Sequence, residues 1–554
     1  MPSILKVAGL SVSFLIATSF ASSASRDLNS SPPSVTLDNA NITGLSNGTF
    51  SKFLGIPFAQ APIGNLRFRA PQAVSPYNGS IDASAYGPIC PQQATQLPLA
   101  AQTALNATIP DIIQQIYLNM SSARAPSESL SINIIKPANA NADSKLPVLV
   151  WIFGGGFERG SALGYDYLGD RLVNRSMELG QPVVYVAMNY RVSAWGFLAS
   201  TEVQQAGEGN MGLQDQRLAL QWIQKYITTF GGDPAKVTIW GQSAGAISAS
   251  LQMLAYGGNT TDLFHGAIMQ SGAPIPVGNF TSGQVYYNQL LSATNCASSN
   301  DTFLCLQQVS QDELKVAVDE TPNYFSYDSL VLAWSPRADG KFLPDNPQRL
   351  LQQGKFMSIP VISGNVDDEG TVFSLSSTNV TTDAQFREYV SQIWVPGANT
   401  STLDPLWSYY PENPADGSPF DTSNANSITP QFKRTAAFQG DVVFQTPRRF
   451  FLESLSGTQN AWSYLSKAAK VTPVLGSFHG SDLSAGVLDD YIIRFTYNQT
   501  PGNGTGLDWP QYTSSSPLLY NFPSGRREEP YISNDTFRLE PMRYLMNLSL
   551  AYPL

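Results

Sequence analysis

Short apolar runs recur along the chain, separated by polar and helical stretches. Pro147 to Phe153, Pro182 to Met188, Lys236 to Trp240, Gly266 to Met269 and Ile359 to Ser363 are rich in branched or aromatic residues. Each is bounded by Gly, Asn or Pro. That pattern predicts buried strands. Between the second and the third, Leu218, Trp222, Ile223, Tyr226, Ile227 and Phe230 fall at i, i+4, i+5, i+8, i+9 and i+12. This is one apolar helical face, and Gly231-Gly232 ends it. Buried strands alternating with helices predict an α/β fold, a mostly parallel central sheet with helices on both faces. Ligands in such sheets bind beyond the carboxyl ends of the strands. Reactive side chains are therefore expected just after the apolar runs.

The N-terminus has a different pattern. Lys6 precedes an apolar run from Val7 to Phe20, broken only by Gly and Ser/Thr, and small residues follow at Ala21-Ser22-Ser23-Ala24. A positive start, a short apolar stretch and a small-residue exit describe a secretory signal peptide over residues 1–24. The run falls short of the ~20 residues of a membrane span. Sixteen Asn-x-Ser/Thr sequons, among them Asn41, Asn78, Asn119, Asn279, Asn399 and Asn498, agree with a glycosylated secreted chain. The three cysteines allow three pairings. Cys296 and Cys305 enclose eight residues, a loop that a disulfide closes readily in an oxidising compartment. Cys90 is then left as a buried, inert thiol.

Composition narrows the class of partner. With 42% hydrophobic and 13% charged residues, the 554-residue chain reads as globular, with a core that needs no metal or disulfide scaffold. Lys+Arg number 32 against Asp+Glu 42, a net charge of −10, and no basic cluster interrupts the chain. This argues against nucleic acid and against electrostatic docking on anionic lipid. Two histidines make a His-based metal site improbable.

Candidate chemistry sits where the strands end. Gly241-Gln242-Ser243-Ala244-Gly245 follows the run Lys236–Trp240 and opens a small-residue helix. A G-x-S-x-G turn between strand and helix strains the serine backbone and lifts Oγ above the sheet as a nucleophile. Pro147–Phe153 runs into Gly154-Gly155-Gly156-Phe157, whose unshielded amides suit an oxyanion. Gly155, Gly156 and Ala244 are the candidate donors. Ser243 needs a base. His265 lies 22 residues on, before a strand and at its wrong end, whereas His479 is flanked by the loop formers Gly476-Ser477-Phe478 and Gly480-Ser481. His479 is thus the candidate base. The order nucleophile, acid, histidine places an acid between them. Asp367, Asp368 and Glu369 all follow the run Ile359–Ser363, and spacing alone does not choose among them.

These residues resemble the type-B carboxylesterase/lipase family, the cholinesterase-like branch of the α/β hydrolases. The likeness is carried by Phe230-Gly231-Gly232-Asp233-Pro234 with Val237 to Gly245, by Phe53 to Ala59, by Leu66-Arg67-Phe68, by Asn210 to Gln216 and by Asp368-Glu369-Gly370-Thr371. It extends from about Val35 to the end. The form Phe153-Gly154-Gly155-Gly156-Phe157-Glu158 is similar to fungal secreted lipases. The resemblance implies Glu369 as the acid, His479 as the base, an α/β-hydrolase fold with large insertions, and no cofactor or metal. It also implies the Cys296–Cys305 bridge.

Three departures stand out. The residue before the nucleophile is usually Glu and is Gln242 here. The family commonly pairs the Cys90 position with a cysteine where this chain has Ser129, so a bridge at the base of a flap is missing. The segment 91–127 has its own sequence, in which Ile109, Ile112, Ile113, Ile116, Tyr117 and Met120 mark an amphipathic helix and a candidate lid. Residues 25–554 are expected to form one catalytic domain. The expected function is a secreted Ser-His-Glu hydrolase of carboxylic esters, carboxylesterase or lipase, with a small-molecule or lipid ester as substrate and transient contact with a lipid interface. The alternative is a catalytically inactive binding or adhesion protein of the same family, which usually lacks the nucleophile or the base.

Overall fold

Among the described residues of the computed structural model (32–105, 113, 129–258, 262–502, 507–525 and 528–554), the predicted apolar runs are neighbouring strands of one eleven-stranded sheet. The strands are Val184–Met188, Leu146–Ile152, Gly232–Gln242, Gly266–Gln270 and Val361–Val366, paired in parallel in that spatial order. Ala461–Ser466 and Leu518–Phe522 extend the parallel run, and Tyr531–Asn534 closes that edge antiparallel. On the other side Ser131–Pro137, Phe50–Pro57 and Leu45–Ser46 add antiparallel strands. A separate three-stranded sheet is built from Ser34–Leu37, Asn39–Thr43 and Asn78–Asp82.

The central strands are buried along nearly their whole length. Both faces are covered, which is why the sequence reads there as unbroken apolar runs rather than as alternation. Helices Asp166–Glu178 and Asp489–Asn498 pack on one another and on the strands. Helices Met211–Tyr226, Ala244–Leu254, Pro347–Gln352 and Thr446–Leu455 form a second, mutually packed layer. This is the α/β-hydrolase architecture. Among the described residues no helix is long and apolar enough to cross a membrane.

Two local differences from the sequence pattern have physical causes. The apolar face from Leu218 to Phe230 is α-helical only to Tyr226; Ile227–Phe230 tightens to a 3₁₀ turn, and Gly231 ends it in the left-handed region at φ 91°. Tightening the last turn satisfies carbonyls that an abrupt end would leave open. The strand after it begins at Gly232 rather than Lys236. Its pairing with Leu146–Ile152 shifts register between Leu146 and Val148, and Pro234, which has no N–H to give a ladder, falls in that irregular stretch.

Cys296 and Cys305 are joined by a disulfide. Cys90 is buried, and its Sγ–H donates to the Ser129 carbonyl oxygen at 3.4 Å. The two positions that the resemblance would bridge thus lie side by side without a second cysteine. The predicted signal peptide and most of the predicted lid helix lie outside the described residues. The start of segment 91–127 is described and is anchored. Gln92 exchanges two hydrogen bonds with the backbone of Gly160, and Gln93 N–H donates to Glu158 O at 3.0 Å.

Candidate active site

Strand Gly232–Gln242 delivers Ser243 to the turn before helix Ala244–Leu254 with φ 58° and ψ −130°, a conformation that L-residues rarely adopt. Close packing imposes it. A Cβ on Gly241 would lie 2.2 Å from the Gly245 carbonyl group, and one on Gly245 would lie 1.9 Å from Ile152 O. Only hydrogen at both positions lets strand, turn and helix pass so closely. The Ser243 N–H donates to Gln270 O on the neighbouring strand at 2.9 Å, which pins the turn to the sheet. Ser243 is half-buried, between the buried Gln242 and Ala244.

The glycine loop after strand Leu146–Ile152 lies directly against this turn. A Cβ on Gly154 would stand 2.9 Å from Ser243 Cβ and 2.6 Å from Gln242 O. Gly155 sits at φ 113°, open to glycine and strained for other residues. Among the described residues none accepts from the amides of Gly155, Gly156 or Ala244. The loop that carries two of these donors lies against the serine turn, and the Ala244 amide is the first of an eleven-residue helix whose N-terminus favours negative charge. Tyr324 backs the loop, its ring 2.9 Å from where a Gly156 Cβ would be. Glu158 holds Tyr324 by accepting its backbone N–H at 3.1 Å, and burial pushes the Glu158 carboxyl well above the usual carboxylate range.

His479 and Glu369 meet on the same side of the sheet. His479 Nδ1 lies 2.6 Å from Glu369 Oε2, and Glu369 Oε1 accepts the Val366 N–H at 2.9 Å. Both side chains are almost wholly buried. Rings of Phe373 and Phe444 cover the imidazole, centroid to centroid 5.1 and 4.7 Å. The other ring nitrogen, Nε2, is 3.1 Å from the side-chain amide of Gln242, the residue before Ser243. The Ser243 turn, the imidazole and the carboxylate thus converge from three distant segments.

The rejected candidates fall elsewhere. His265 precedes strand Gly266–Gln270, at the end opposite the Ser243 turn, and donates its backbone N–H to Val237 O. Asp367 pairs with Lys470 and lies against Lys467. Asp368 turns away from the imidazole and ties its loop. It accepts from Ser477 N–H (2.8 Å), Phe420 N–H (2.8 Å), Ser418 O–H (3.0 Å) and Lys470 Nζ (2.8 Å). Its backbone also bridges Phe478. One acid of the cluster therefore touches the imidazole, and its neighbour fixes the loop that carries the imidazole.

Sequence reasoning missed Asp368 as an anchor, Phe373 and Phe444 as the ring's walls, and Asp482. Asp482 is fully buried and accepts from Tyr464 O–H at 2.7 Å and Gln270 Nε2 at 3.2 Å; burial raises its pKa, and the charge of Glu369 adds to the rise. The loop residues come together through contacts across long stretches of chain, which spacing does not encode.

Known proteins share this arrangement of the chain. Residues 31–518 match the model of the carboxylesterase family. Lipase 2 of Diutina rugosa is 41% identical over 533 residues, covering 91% of this chain and 94% of that one. Secreted lipase 1 of Botryotinia fuckeliana is 39% identical, covering 93% and 95%. The crystal structure of EstA from Aspergillus niger superposes with a TM-score of 0.78 at 26% identity, covering 95% of this chain and 99% of that one. The chain belongs to the carboxylesterase family.

Proposed function

We propose that this protein is a secreted serine hydrolase that cleaves carboxylic esters through an acyl-enzyme. Ser243 Oγ attacks the ester carbonyl carbon while His479 Nε2 takes the hydroxyl proton. Glu369 holds the imidazole by Nδ1 and stabilises the imidazolium. The amides of Gly155, Gly156 and Ala244 donate to the oxyanion. Collapse of the tetrahedral intermediate expels the alcohol, which takes the proton from His479. Water, deprotonated by His479, then attacks the acyl carbon, and the acid leaves as Ser243 regains its proton.

The observation that carries this reading is the buried Glu369–His479 bond, with Nε2 directed at the nucleophile turn. Unengaged glycine amides beside Ser243 support it. An inactive binding protein has no need of such an array, and covalent labelling of Ser243 by a fluorophosphonate separates the two readings. Secretion is supported by the N-terminal pattern and by a relative named a secreted lipase. Glycosylation is supported by the exposure of the sequon residues Asn41, Asn78, Asn279, Asn399 and Asn498; Asn119 lies outside the described residues.

The oxyanion assignment makes its own prediction. A Cβ on Gly155 would lie 2.2 Å from Arg159 O, so Gly155→Ala must distort the loop. We expect kcat to fall by ~10²–10³, with KM changed much less, as steady-state kinetics on a soluble ester would show. An unchanged kcat would remove Gly155 from the hole.

Relatives named lipases favour lipid esters as substrates. Hydrolysis rate is then expected to jump as a long-chain ester passes its solubility limit. Smooth saturation through that limit indicates an esterase of dissolved substrates.

A further inference from the structure

The bond between Gln242 and His479 has a consequence for the base. Glu369 accepts at Nδ1, so the ring proton of the neutral imidazole sits on Nδ1 and the lone pair on Nε2. The amide group 3.1 Å from Nε2 must therefore present its N–H, and Gln242 Nε2 is the donor. That donor is well fixed. Gln242 is 4% exposed and ends a strand whose backbone is paired with Gln270. Gly480, next to His479, lies so close that a Cβ there would be 3.5 Å from Gln242 Nε2.

The surroundings leave the amide a distinct role. Glu369 bonds the ring on its Nδ1 side and is a charged partner there. Phe373 and Phe444 cover the ring and carry no charge. Asp482, from the same loop, is turned to Tyr464 and Gln270. Lys470 is held by Asp367 and Asp368, and Glu158 by the Tyr324 backbone.

Taking His479 as the base of the proposed reaction, we propose that Gln242 is its positioning residue, clamping Nε2 in the resting enzyme and favouring the neutral ring. An N–H aimed at Nε2 stabilises that nitrogen only while it carries no proton; once Nε2 is protonated, two donors face each other. Nε2 has one lone pair, so the clamp must let go before Ser243 can pass its proton there. A carboxylate at the same place would act in the opposite sense, by attracting the imidazolium.

The test is the acid limb of kcat/KM against pH, measured with a soluble short-chain ester for the parent, Gln242→Met and Gln242→Glu. Methionine keeps length and removes the donor; glutamate replaces the donor with a charge. The acid limb of Gln242→Met is expected to move upward by about half a pH unit, the equivalent of one modest hydrogen bond. That of Gln242→Glu is expected to move upward by about one unit or more. The rate of fluorophosphonate labelling against pH reads the same ionisation where turnover is slow. A Gln242→Met profile that superimposes on the parent's overturns the proposal, even if Gln242→Glu moves, because a new charge alone explains that shift. A lowered Tm with an unmoved limb overturns it too. A parent enzyme with no acid limb, or a Ser243→Ala variant that still turns over, would instead reject the assignment of base and nucleophile.

Discussion

Ser243→Ala is expected to lower kcat by on the order of 10⁶ and to abolish fluorophosphonate labelling, while thermal stability stays near that of the parent. The two halves of this expectation have separate causes. In the proposed mechanism activity is lost because Oγ is the atom that forms the acyl bond. Some catalysis should persist, because the proposed oxyanion donors and the binding surface remain. Stability is kept because the strain at this turn belongs to the backbone. Ser243 sits at φ 58° and ψ −130°, and serine and alanine both carry the Cβ that makes this conformation costly. Glycine does not, so Ser243→Gly should be as inactive and yet more stable. The relief is about 1–3 kcal/mol, offset by about 0.5–1 kcal/mol for the greater entropy glycine loses on folding. Kinetics on a soluble ester and a thermal melt on the same preparations check both halves. Ordinary turnover in Ser243→Ala would end the nucleophile assignment.

The parallel heart of the sheet was legible in the sequence because it is covered on both faces. Strands such as Leu146–Ile152 and Val184–Met188 are uniformly apolar, and their glycine and proline borders mark them off. Ser131–Pro137 is buried just as completely and was not legible, since Asn133 and Lys136 interrupt the apolar pattern. Their polar groups are satisfied in the fold: Asn133 accepts Gly55 N–H and donates to Ala187 O, and Lys136 donates to Ala140 O. A buried polar residue with partners is indistinguishable, in one dimension, from an exposed one. Phe50–Pro57, next to one edge of the sheet, and the edge strand Tyr531–Asn534 are partly exposed and give no clean period.

The same division runs through the candidate site. Ser243 and the glycine loop were legible because tight turns demand particular residues at fixed offsets. His479 was reached by scarcity, with two histidines in the chain and His265 at the wrong end of its strand. Among Asp367, Asp368 and Glu369 spacing was silent, because three consecutive residues in a turn point in three directions and only the packing of distant loops shows where. Gln242 was visible as a departure from a family pattern. That its amide meets the imidazole became visible only with the loop after His479 folded onto the strand end.

Those three acids give the second large effect. Glu369→Gln is expected to lower kcat by on the order of 10⁴ with a modest change in stability. Glu369 faces two donors, the Val366 N–H on one oxygen and His479 Nδ1–H on the other. Glutamine has one oxygen and one NH₂, so one donor must meet another. If the oxygen stays with Val366, the NH₂ turns to His479 and the ring proton moves to Nε2, the wrong tautomer to take a proton from Ser243. If the oxygen turns to His479, the Val366 amide is left buried without its acceptor. Asp368→Asn should behave in the opposite manner. Asp368 receives four donors, from Ser477, Phe420, Ser418 and Lys470, and touches no reacting group. An asparagine NH₂ among them leaves buried donors unpaired, at about 1–3 kcal/mol each, and loosens the loop before His479. The expected signature is a lowered Tm with a much smaller fall in kcat for the fraction that remains folded. Paired melts and active-site titration by fluorophosphonate separate folded fraction from rate constant. If kcat per labelled site fell further in Asp368→Asn than in Glu369→Gln, the acid of the proposed triad would have to move by one residue.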